Sequence, residues 1–464
     1  MRGEKDGYCL VLGGGGARGV YHLGVWRALR EIGVRIDAVI GNSVGALVAG
    51  FIAQKDMASL EEIISNIGLG DIIAIPDELE RDGEFVLDRK NFKTLLEYRK
   101  KIFKKRGLDT LPMSKTLKKY LDESRIRNGG IDLGVITYHL NELKPVEIFI
   151  DQMKEGALLD YLKASATLPG FTVTKISDKQ FIDGGVYNNI PYDMARKRGY
   201  RNIIMVDISG IGITRRPDFK NTRTVYIKNS VTMGGVLDFD KEFLTRFTQL
   251  GYLDTMRVFG RYRGFRYFIE ENKSVYKRIA RVAESDEYLS YIGETAQRLK
   301  LNQADLPESA IRALLPEEIE HDRFWIYSLL DCSAWILGLD RVRSYPLKEL
   351  TDLLHAEQER AEKSIGSLRE SLSPGKLKKL LVEIKTVRDK RDLGTLAHRS
   401  LYYYERILGE LLKRVQNKIP FASFDTFFPG VHAGFAGLEL VRLFREHRRG
   451  IRPLLGFIPK KPSG

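Results

Sequence analysis

A serine between two glycines is the first residue whose setting suggests chemistry. Ser43 lies in Gly41-Asn42-Ser43-Val44-Gly45, between the apolar runs 38–40 and 46–49. A strand-to-helix context of this kind is typical of a nucleophile elbow, in which flanking glycines relieve crowding and the helix N-terminus favours negative charge. Serine is also a good N-cap for an apolar helix. The pentapeptide therefore predicts either a nucleophile or an ordinary cap.

A glycine loop precedes this serine. Gly13-Gly14-Gly15-Gly16-Ala17-Arg18-Gly19 follows a short apolar run and opens a helical stretch. Such a loop can cradle a phosphate or form an oxyanion hole. A mononucleotide loop would need Lys followed by Ser or Thr at its end, and the sequence has neither there. The spacing Gly14-x-Gly16-x-x-Gly19 fits a dinucleotide site, but Asp37 begins the second strand instead of ending it, which weakens that interpretation.

A serine nucleophile needs a base, and the sequence offers histidines and one well-placed aspartate. The seven histidines lie in no glycine-rich setting; they are His22, His139, His321, His355, His398, His432 and His447. Asp183 ends the run Gln180-Phe181-Ile182 and precedes Gly184-Gly185, so a strand delivers a carboxylate into a tight turn. An Asp-Gly hairpin is the alternative. Residues 186–191 do not continue as a return strand, which favours a functional carboxylate.

Length and composition indicate a multidomain globular protein. The chain has 464 residues, with 43% apolar and 29% charged residues, which predicts two or three domains. The two cysteines, Cys9 and Cys332, match no metal or redox spacing and suggest a reducing compartment. Neither a secretory signal nor a transmembrane segment is expected from the sequence. We therefore expect a cytoplasmic protein.

The net charge of +14 favours polyanionic partners, either nucleic acid or anionic lipid headgroups. No nucleic-acid motif accompanies the basic residues, so no nucleic-acid partner is expected. Two segments mix basic and aromatic residues, Tyr98–Arg106 and Phe421–Arg449. Both are typical of interfacial segments and predict peripheral contact with an anionic membrane. A solvated helix face for the first and core packing for the second are the alternatives.

Short apolar runs alternate with helical stretches in the first half of the chain, which predicts an α/β sheet covered on both faces. The expected strands are 8–12, 37–40, 133–137, 146–150 and 203–208, and the first helices are 17–32 and 44–54. From about residue 272 the chain is predicted to be almost entirely helical, including 357–369, 376–391 and 401–415. We therefore predict domains at residues 1–271 and 272–464.

In combination the motifs resemble the patatin-like phospholipase family over roughly the first 210 residues, with the motif-bearing core at about 8–210. Four blocks occur in the order typical of that family. They are Gly14-Gly15-Gly16-Ala17-Arg18-Gly19; Gly41-Asn42-Ser43-Val44-Gly45; Ala164-Ser165-Ala166-Thr167-Leu168-Pro169-Gly170; and Asp183-Gly184-Gly185 followed by Asn189-Ile190-Pro191. Each block alone is not specific, but the four blocks in this order are specific to the family.

This resemblance implies a patatin-like three-layer α/β/α domain with a mostly parallel central sheet, followed by an α-helical C-terminal region. It implies a lipid acyl hydrolase of the phospholipase A or lysophospholipase type. Ser43 would attack the ester of a phospholipid or other lipid, Asp183 would act as base without histidine, and an acyl-enzyme would form. The oxyanion donors would be Gly14, Gly15 and Gly16. Supporting residues would be Arg18, Gly41, Gly45, Gly184 and Gly185, with no metal and no cofactor.

Three other functions remain compatible with the sequence. An α/β-hydrolase-type esterase would complete a Ser-Asp-His triad with His398 or His432. A dinucleotide-binding protein would use the GxGxxG spacing. A catalytically silent protein would bind lipid or another partner through the same fold. The oligomeric state is not indicated by any pattern in the sequence.

Overall fold

The computed structural model describes residues 7–81, 84–85, 107–299, 325–371 and 431–448, with single positions between 94 and 104. The chain divides into two compact units, Met1–Gly260 and Arg261–Gly464. The division lies upstream of the boundary predicted at residue 271, because two short strands beyond Gly260 belong to the second unit.

The first unit is built on an eight-stranded sheet. Its strands are β1 (Tyr8–Leu12), β2 (Ile36–Asn42), β3 (Asp132–His139), β4 (Lys144–Phe149), β5 (Thr174–Ile176), β6 (Lys179–Asp183), β7 (Asn202–Asp207) and β8 (Arg223–Lys228). Their order is β8-β7-β1-β2-β3-β6-β5, and β4 pairs with β3. Strands β8, β7, β1, β2 and β3 run parallel to one another, whereas β4 and β6 pair antiparallel with β3, and β5 pairs antiparallel with β6. The predicted mostly parallel sheet is confirmed.

Helices cover both faces of this sheet. They are α1 (Val20–Ile32), α2 (Val44–Gln54), α3 (Met57–Asn66), α4 (Leu111–Tyr120), α5 (Glu123–Asn128), α6 (Leu158–Ser165), α7 (Tyr192–Lys197) and α8 (Lys241–Val258). Cys9 and Val11 pack in one core cluster with residues of α7. Successive strand residues point to opposite faces, and Leu10 and Leu12 are also fully buried. The continuous apolar character of β1 thus reflects burial on both sides, and the three-layer α/β/α arrangement is confirmed.

The strand register brings two predicted site residues to the same place. Asn42, the last residue of β2, pairs with Ile136 of β3. The next residue of β3, Thr137, pairs with Asp183, the last residue of the antiparallel strand β6. Since β6 runs opposite to β2, the C-terminal residues of the two strands meet at this point of the sheet. Ser43 is the residue directly after β2. Ligands of open α/β sheets bind outside such carboxyl ends.

The individual predictions for the first unit differ in accuracy. Helix α2 has the predicted bounds, and α1 begins at Val20 after a 3-10 turn at Gly16–Gly19. The strand predicted at 146–150 is present as β4, but its expected burial is wrong, because β4 has one strand neighbour and most of its residues are half-buried or exposed. Strands β5 and β8 were not predicted, since Thr174–Ile176 is very short and Arg223–Lys228 has a polar face.

The second unit is mainly helical. Its helices are α9 (Lys273–Ala283), α10 (Asp286–Leu299), α11 (Trp325–Ile336), α12 (Leu347–Ser371) and α13 (Val431–Arg448). A small sheet joins β9 (Tyr262–Arg263), β10 (Phe268–Glu270) and β11 (Ser344–Pro346). One carboxylate oxygen of the buried Asp331 accepts the N–H groups of Phe265, Arg266 and Tyr267. The predicted helix 357–369 lies within α12, whereas 376–391 and 401–415 are outside the described residues.

The predicted membrane segments are only partly described. In α13 the apolar side chains Leu438, Val441 and Phe444 are buried in the core of the second unit. Arg442 pairs with Glu439 and Glu446. This part of the predicted tail segment therefore packs internally, while residues 421–430 and much of 98–106 lie outside the described residues. No described helix has the length and apolar character to cross a membrane.

Helices α1 and α8 approach each other backbone to backbone, which gives a stability prediction. A Cβ on Gly24 would lie 1.9 Å from the Thr248 carbonyl oxygen, and one on Gly251 would lie 2.1 Å from the Tyr21 carbonyl oxygen. We expect Gly24→Ala and Gly251→Ala each to lower the free energy of unfolding by about 1–3 kcal/mol, measured by urea denaturation. Gly293→Ala in α10, where a Cβ meets nothing within 4 Å, is the control and should be neutral or stabilising. Equal effects of all three would contradict this packing.

Candidate active site

Ser43 occupies a strained backbone position between β2 and α2. Its φ of 54° and ψ of −130° lie in a region that non-glycine residues rarely adopt and that costs about 1–3 kcal/mol. A Cβ on Gly41 would lie 2.3 Å from the Gly45 carbonyl, and a Cβ on Gly45 would lie 2.5 Å from the Leu12 carbonyl oxygen. Only glycines allow the strand, the turn and the first turn of the helix to approach this closely.

A buried serine holds the turn in place. The backbone N–H of Ser43 donates to the hydroxyl of Ser165 at 2.9 Å, and that hydroxyl donates to the Ile136 carbonyl at 2.7 Å. Ser165 is fully buried. The side chain of Ser43 makes no cap hydrogen bond to α2. The N-cap alternative therefore does not account for the hydroxyl, which stays available for other chemistry.

The glycine loop lies against this turn. A Cβ on Gly14 would lie 2.9 Å from the Ser43 Cβ. Gly14 donates its N–H to the Asn189 carbonyl at 3.2 Å, so this N–H is already engaged. No acceptor for the N–H groups of Gly15 and Gly16 is found in the part of the chain that the structure describes. Gly16 has a φ of 60°, which favours glycine.

Asn189 connects three loops at the site. Its carbonyl accepts the Gly14 N–H, and its side-chain amide donates to the Gly14 carbonyl at 3.2 Å. Its side-chain oxygen accepts from the Asn42 amide at 3.1 Å. In the sequence, Asn189 is only one residue of a motif block and Asn42 only one residue of the pentapeptide. Their buried amides join the glycine loop, the serine turn and the segment after Asp183.

A buried histidine in α1 contacts the glycine loop. His22 Nε2 lies 2.9 Å from the Gly13 carbonyl oxygen, and the ring is fully buried. Burial lowers the pKa of His22 to about 4, although the Gly13 hydrogen bond opposes this shift. The imidazole is thus neutral near pH 7, and a proton on Nε2 allows it to donate to the loop. The sequence shows His22 in no glycine-rich setting, and its contact with Gly13 depends on the fold.

Asp183 presents a carboxylate to this centre. Its Oδ1 accepts the Gly185 N–H at 2.7 Å. Its Oδ2 is buried, and no donor among the described residues meets hydrogen-bond geometry to it. Burial raises the pKa of Asp183, while interactions with Ser43, Gly185 and Asn42 favour the charged form without cancelling the effect of burial. A Cβ on Gly184 would lie 2.6 Å from the Asn42 side-chain oxygen, so this turn also needs glycine.

Arg18 forms hydrogen bonds to two further loops beside the glycine loop. Its Nε donates to the Gly234 carbonyl at 2.8 Å, and its Nη1 donates to the Ser209 carbonyl. The two loops follow β7 and β8. Neither was connected to the site by any sequence pattern, because long-range backbone contacts leave no local signal.

Two pockets meet at Ser43. The first is almost entirely apolar and extends between α2, α3 and α4. Its lining residues include Val48, Phe51, Leu60, Ile64, Leu117 and Phe239. The second pocket is more polar and contains Gly15, Asp183, Gly185, Asn189 and Ile211. Ser43, Gly16 and Leu168 line both pockets. A group bound at Ser43 can therefore extend an apolar chain into one pocket and a polar part into the other.

No histidine with a described side chain lines the two pockets at Ser43. His22 contacts Gly13, His139 pairs with Glu142, and His355 pairs with Glu359. None of the three lines either pocket that contains Ser43. His398 and the side chain of His432 lie outside the described residues. Asp37 is bound by Arg35 and by the Gly7 N–H at the start of β2, away from the position that a dinucleotide ribose would require.

The low pKa of His22 makes the stability of the protein depend on pH. The unfolded chain takes up a proton near pH 6.5, whereas the buried imidazole takes one up only near pH 4. The folded state is therefore destabilised as pH falls between these values, by about 3 kcal/mol at pH 4. We expect His22→Gln, which keeps a side-chain donor for Gly13, to remove this loss in urea denaturation at pH 7, 6, 5 and 4. Parallel stability curves for the two proteins would contradict the assignment.

Comparison with known proteins shows which family the first unit resembles. A family model described as Patatin-like phospholipase matches residues 10–196. A patatin-like phospholipase domain-containing protein of Caenorhabditis elegans is 29% identical over 219 residues, which are 45% of this chain and 14% of that protein. Lysophospholipase NTE1 of Cryptococcus neoformans is 28% identical over 45% of this chain and 12% of its own length. The chain thus matches only a small share of these relatives.

Two solved structures also match along the chain. VipD from Legionella pneumophila covers 99% of this chain and 94% of its own at 12% identity, with a TM-score of 0.35. The type III effector protein ExoU covers 93% of this chain and 94% of its own at 15% identity, with a TM-score of 0.22. The family model spans β1, the glycine loop, the serine turn, Asp183 and Asn189. Over residues 10–196 the chain is therefore similar to the patatin-like phospholipase family.

Proposed function

We propose that the chain is a lipid acyl hydrolase in which Ser43 is the nucleophile and Asp183 the base. The observation that carries this proposal is the position of Ser43 where an apolar pocket meets the polar pocket that contains Asp183. The relatives named phospholipase and lysophospholipase support lipid esters, including phospholipids, as the substrate class. Peripheral contact with an anionic membrane remains part of the proposal.

The proposed reaction begins with proton transfer from the Ser43 hydroxyl to Asp183 Oδ2. The serine oxygen bonds to the ester carbonyl carbon, and the carbonyl oxygen becomes an oxyanion. When the tetrahedral intermediate collapses, the ester C–O bond breaks and Asp183 returns its proton to the departing alcohol. Water then repeats the sequence on the acyl-enzyme and releases the fatty acid. The raised pKa of Asp183 supports this role, since a carboxylate with a higher pKa is a stronger base.

The oxyanion would be bound by the N–H groups of Gly15 and Gly16. Neither has an acceptor among the described residues, and both glycines line the polar pocket with Ser43. Gly14 has a different role in this proposal, because its N–H donates to Asn189 and thereby holds the loop. Loss of an oxyanion donor typically lowers kcat by about 10²–10³. Arg18 would act by fixing the loops beside these donors.

The apolar pocket would hold the acyl chain. Much of its wall comes from three helices, and its lining is almost entirely apolar, with Asp71 and Thr116 as polar exceptions besides Ser43. Burial of methylene groups contributes about 0.8 kcal/mol for each CH₂. A long acyl chain is therefore favoured over a short one, and the alcohol part of the ester would lie in the polar pocket.

The three alternatives make different predictions. A Ser-Asp-His triad would require His398 or His432, whereas no histidine with a described side chain lines a pocket that contains Ser43. Dinucleotide binding is disfavoured by the position of Asp37. A silent binding protein has no need for a strained serine beside a buried carboxylate.

The central test is hydrolysis of a lipid panel by the wild type, Ser43→Ala and Asp183→Asn. We expect both variants to lose at least about 10³-fold in kcat, because each removes one partner of the proton transfer. His398→Ala and His432→Ala are matched controls and should retain near-wild-type kcat. Loss of activity in one of these histidine variants would support the triad, and equal activity in all five proteins would overturn the hydrolase proposal.

A further inference from the structure

Three exposed apolar side chains surround the entrance to the two pockets. Ile211 is 77% exposed, Ile213 is 56% exposed and Leu237 is 42% exposed. Single exposed aliphatic residues are common, but a group of them at one place indicates a binding surface. Ile211 and Ile213 line the polar pocket, and Leu237 lines the apolar pocket. These three side chains are called the rim below.

The rim is carried by loops that hydrogen-bond directly to the catalytic segments. Ile213 donates its N–H to the Gly185 carbonyl at 2.9 Å and accepts the Asn189 N–H at 2.7 Å. The loop before Leu237 accepts the Ala17 N–H at the Val236 carbonyl, 2.8 Å away. Arg18 binds both loops. The apolar side chains are therefore presented to solvent from a backbone that is fixed to the site.

The rim loop that carries Ile211 and Ile213 is positively charged. Between Ser209 and Pro217 the only charged residues are Arg215 and Arg216. The Arg215 guanidinium lies 3.8 Å from the centre of the Tyr187 ring and donates to the Tyr187 carbonyl at 3.1 Å, while Arg216 is exposed. The other loop carries two aspartates, which bind backbone N–H groups: Asp238 accepts from Gly235 and Asp240 accepts from Phe243. Apolar side chains bordered by arginine fit the interface of an anionic bilayer.

We propose that the rim is the surface by which the protein docks on an anionic phospholipid bilayer. Ile211, Ile213 and Leu237 enter the boundary between headgroups and acyl chains, and Arg215 and Arg216 contact lipid phosphates. This orientation directs both pockets toward the bilayer, so an ester reaches Ser43 without crossing water. The benefit to catalysis rests on the proposed function, whereas the docking itself does not. This surface differs from the two segments predicted from the sequence.

The test measures binding to vesicles without hydrolysis. The parent protein carries Ser43→Ala, and sedimentation with vesicles of equal parts phosphatidylglycerol and phosphatidylcholine is compared with sedimentation with phosphatidylcholine alone. We expect Ile211→Ser with Ile213→Ser to weaken binding to the mixed vesicles at least about tenfold. Leu237→Ser alone should weaken it less but in the same direction. Leu143→Ser, at a residue that is 71% exposed in the turn between β3 and β4, is the matched control and should bind like the parent.

The charge contribution has its own comparison. Arg215→Gln with Arg216→Gln should weaken binding to the mixed vesicles and reduce its dependence on salt concentration, with little change on phosphatidylcholine alone. Binding by the rim variants that equals that of the parent would overturn the proposal, as would a parent that binds neither vesicle. If the parent forms a dimer but binds no vesicles, and the rim variants abolish that dimer, the surface would instead contact a second copy of the chain. Failure of the hydrolase proposal appears separately, as lack of lipid hydrolysis by wild type while vesicle binding is retained.

Discussion

The backbone of Ser43 is held in a conformation that an isolated chain would avoid. Its φ of 54° persists because the surrounding structure leaves no alternative. Gly41 and Gly45 allow β2, α2 and the end of β1 to approach within backbone contact, and Ser165 fixes the Ser43 N–H. Strain of this kind is retained where the neighbouring elements over-determine it, and it is concentrated at functional sites. Its consequence here is a hydroxyl directed to the junction of two pockets.

The segments around that hydroxyl are coupled through their backbones. Asn189 binds Gly14 at both its N–H and its carbonyl, and Asn42 joins the same network. His22 holds the carbonyl of Gly13 from within α1. These polar groups are buried, so each needs its partner. The glycine loop, the serine turn and the aspartate turn are thereby positioned relative to one another by internal hydrogen bonds. Fixed positions are what proton transfer and oxyanion stabilisation require.

Local patterns predicted much of the first unit. The apolar run at 38–40 and the helix-forming residues after Ser43 gave the strand and helix correctly, because periodicity and turn chemistry are local properties. The pairing of Thr137 with Asp183 could not be predicted, since register between distant antiparallel strands leaves no signal in one sequence. Ser165 and Asn189 lay inside recognised motif blocks, but their contacts depend on the fold. The engagement of the Gly14 N–H was likewise invisible to spacing alone.

The proposed function depends on a single property of the protein, namely that Ser43 is an activated nucleophile. Labelling with a fluorophosphonate probe, followed by mass spectrometry of the digested protein, tests it directly without knowledge of the natural lipid. The expected result is one adduct, located on the peptide that contains Ser43, and its strong reduction in Asp183→Asn. Labelling at another serine, or no labelling of folded wild-type protein, would contradict the account.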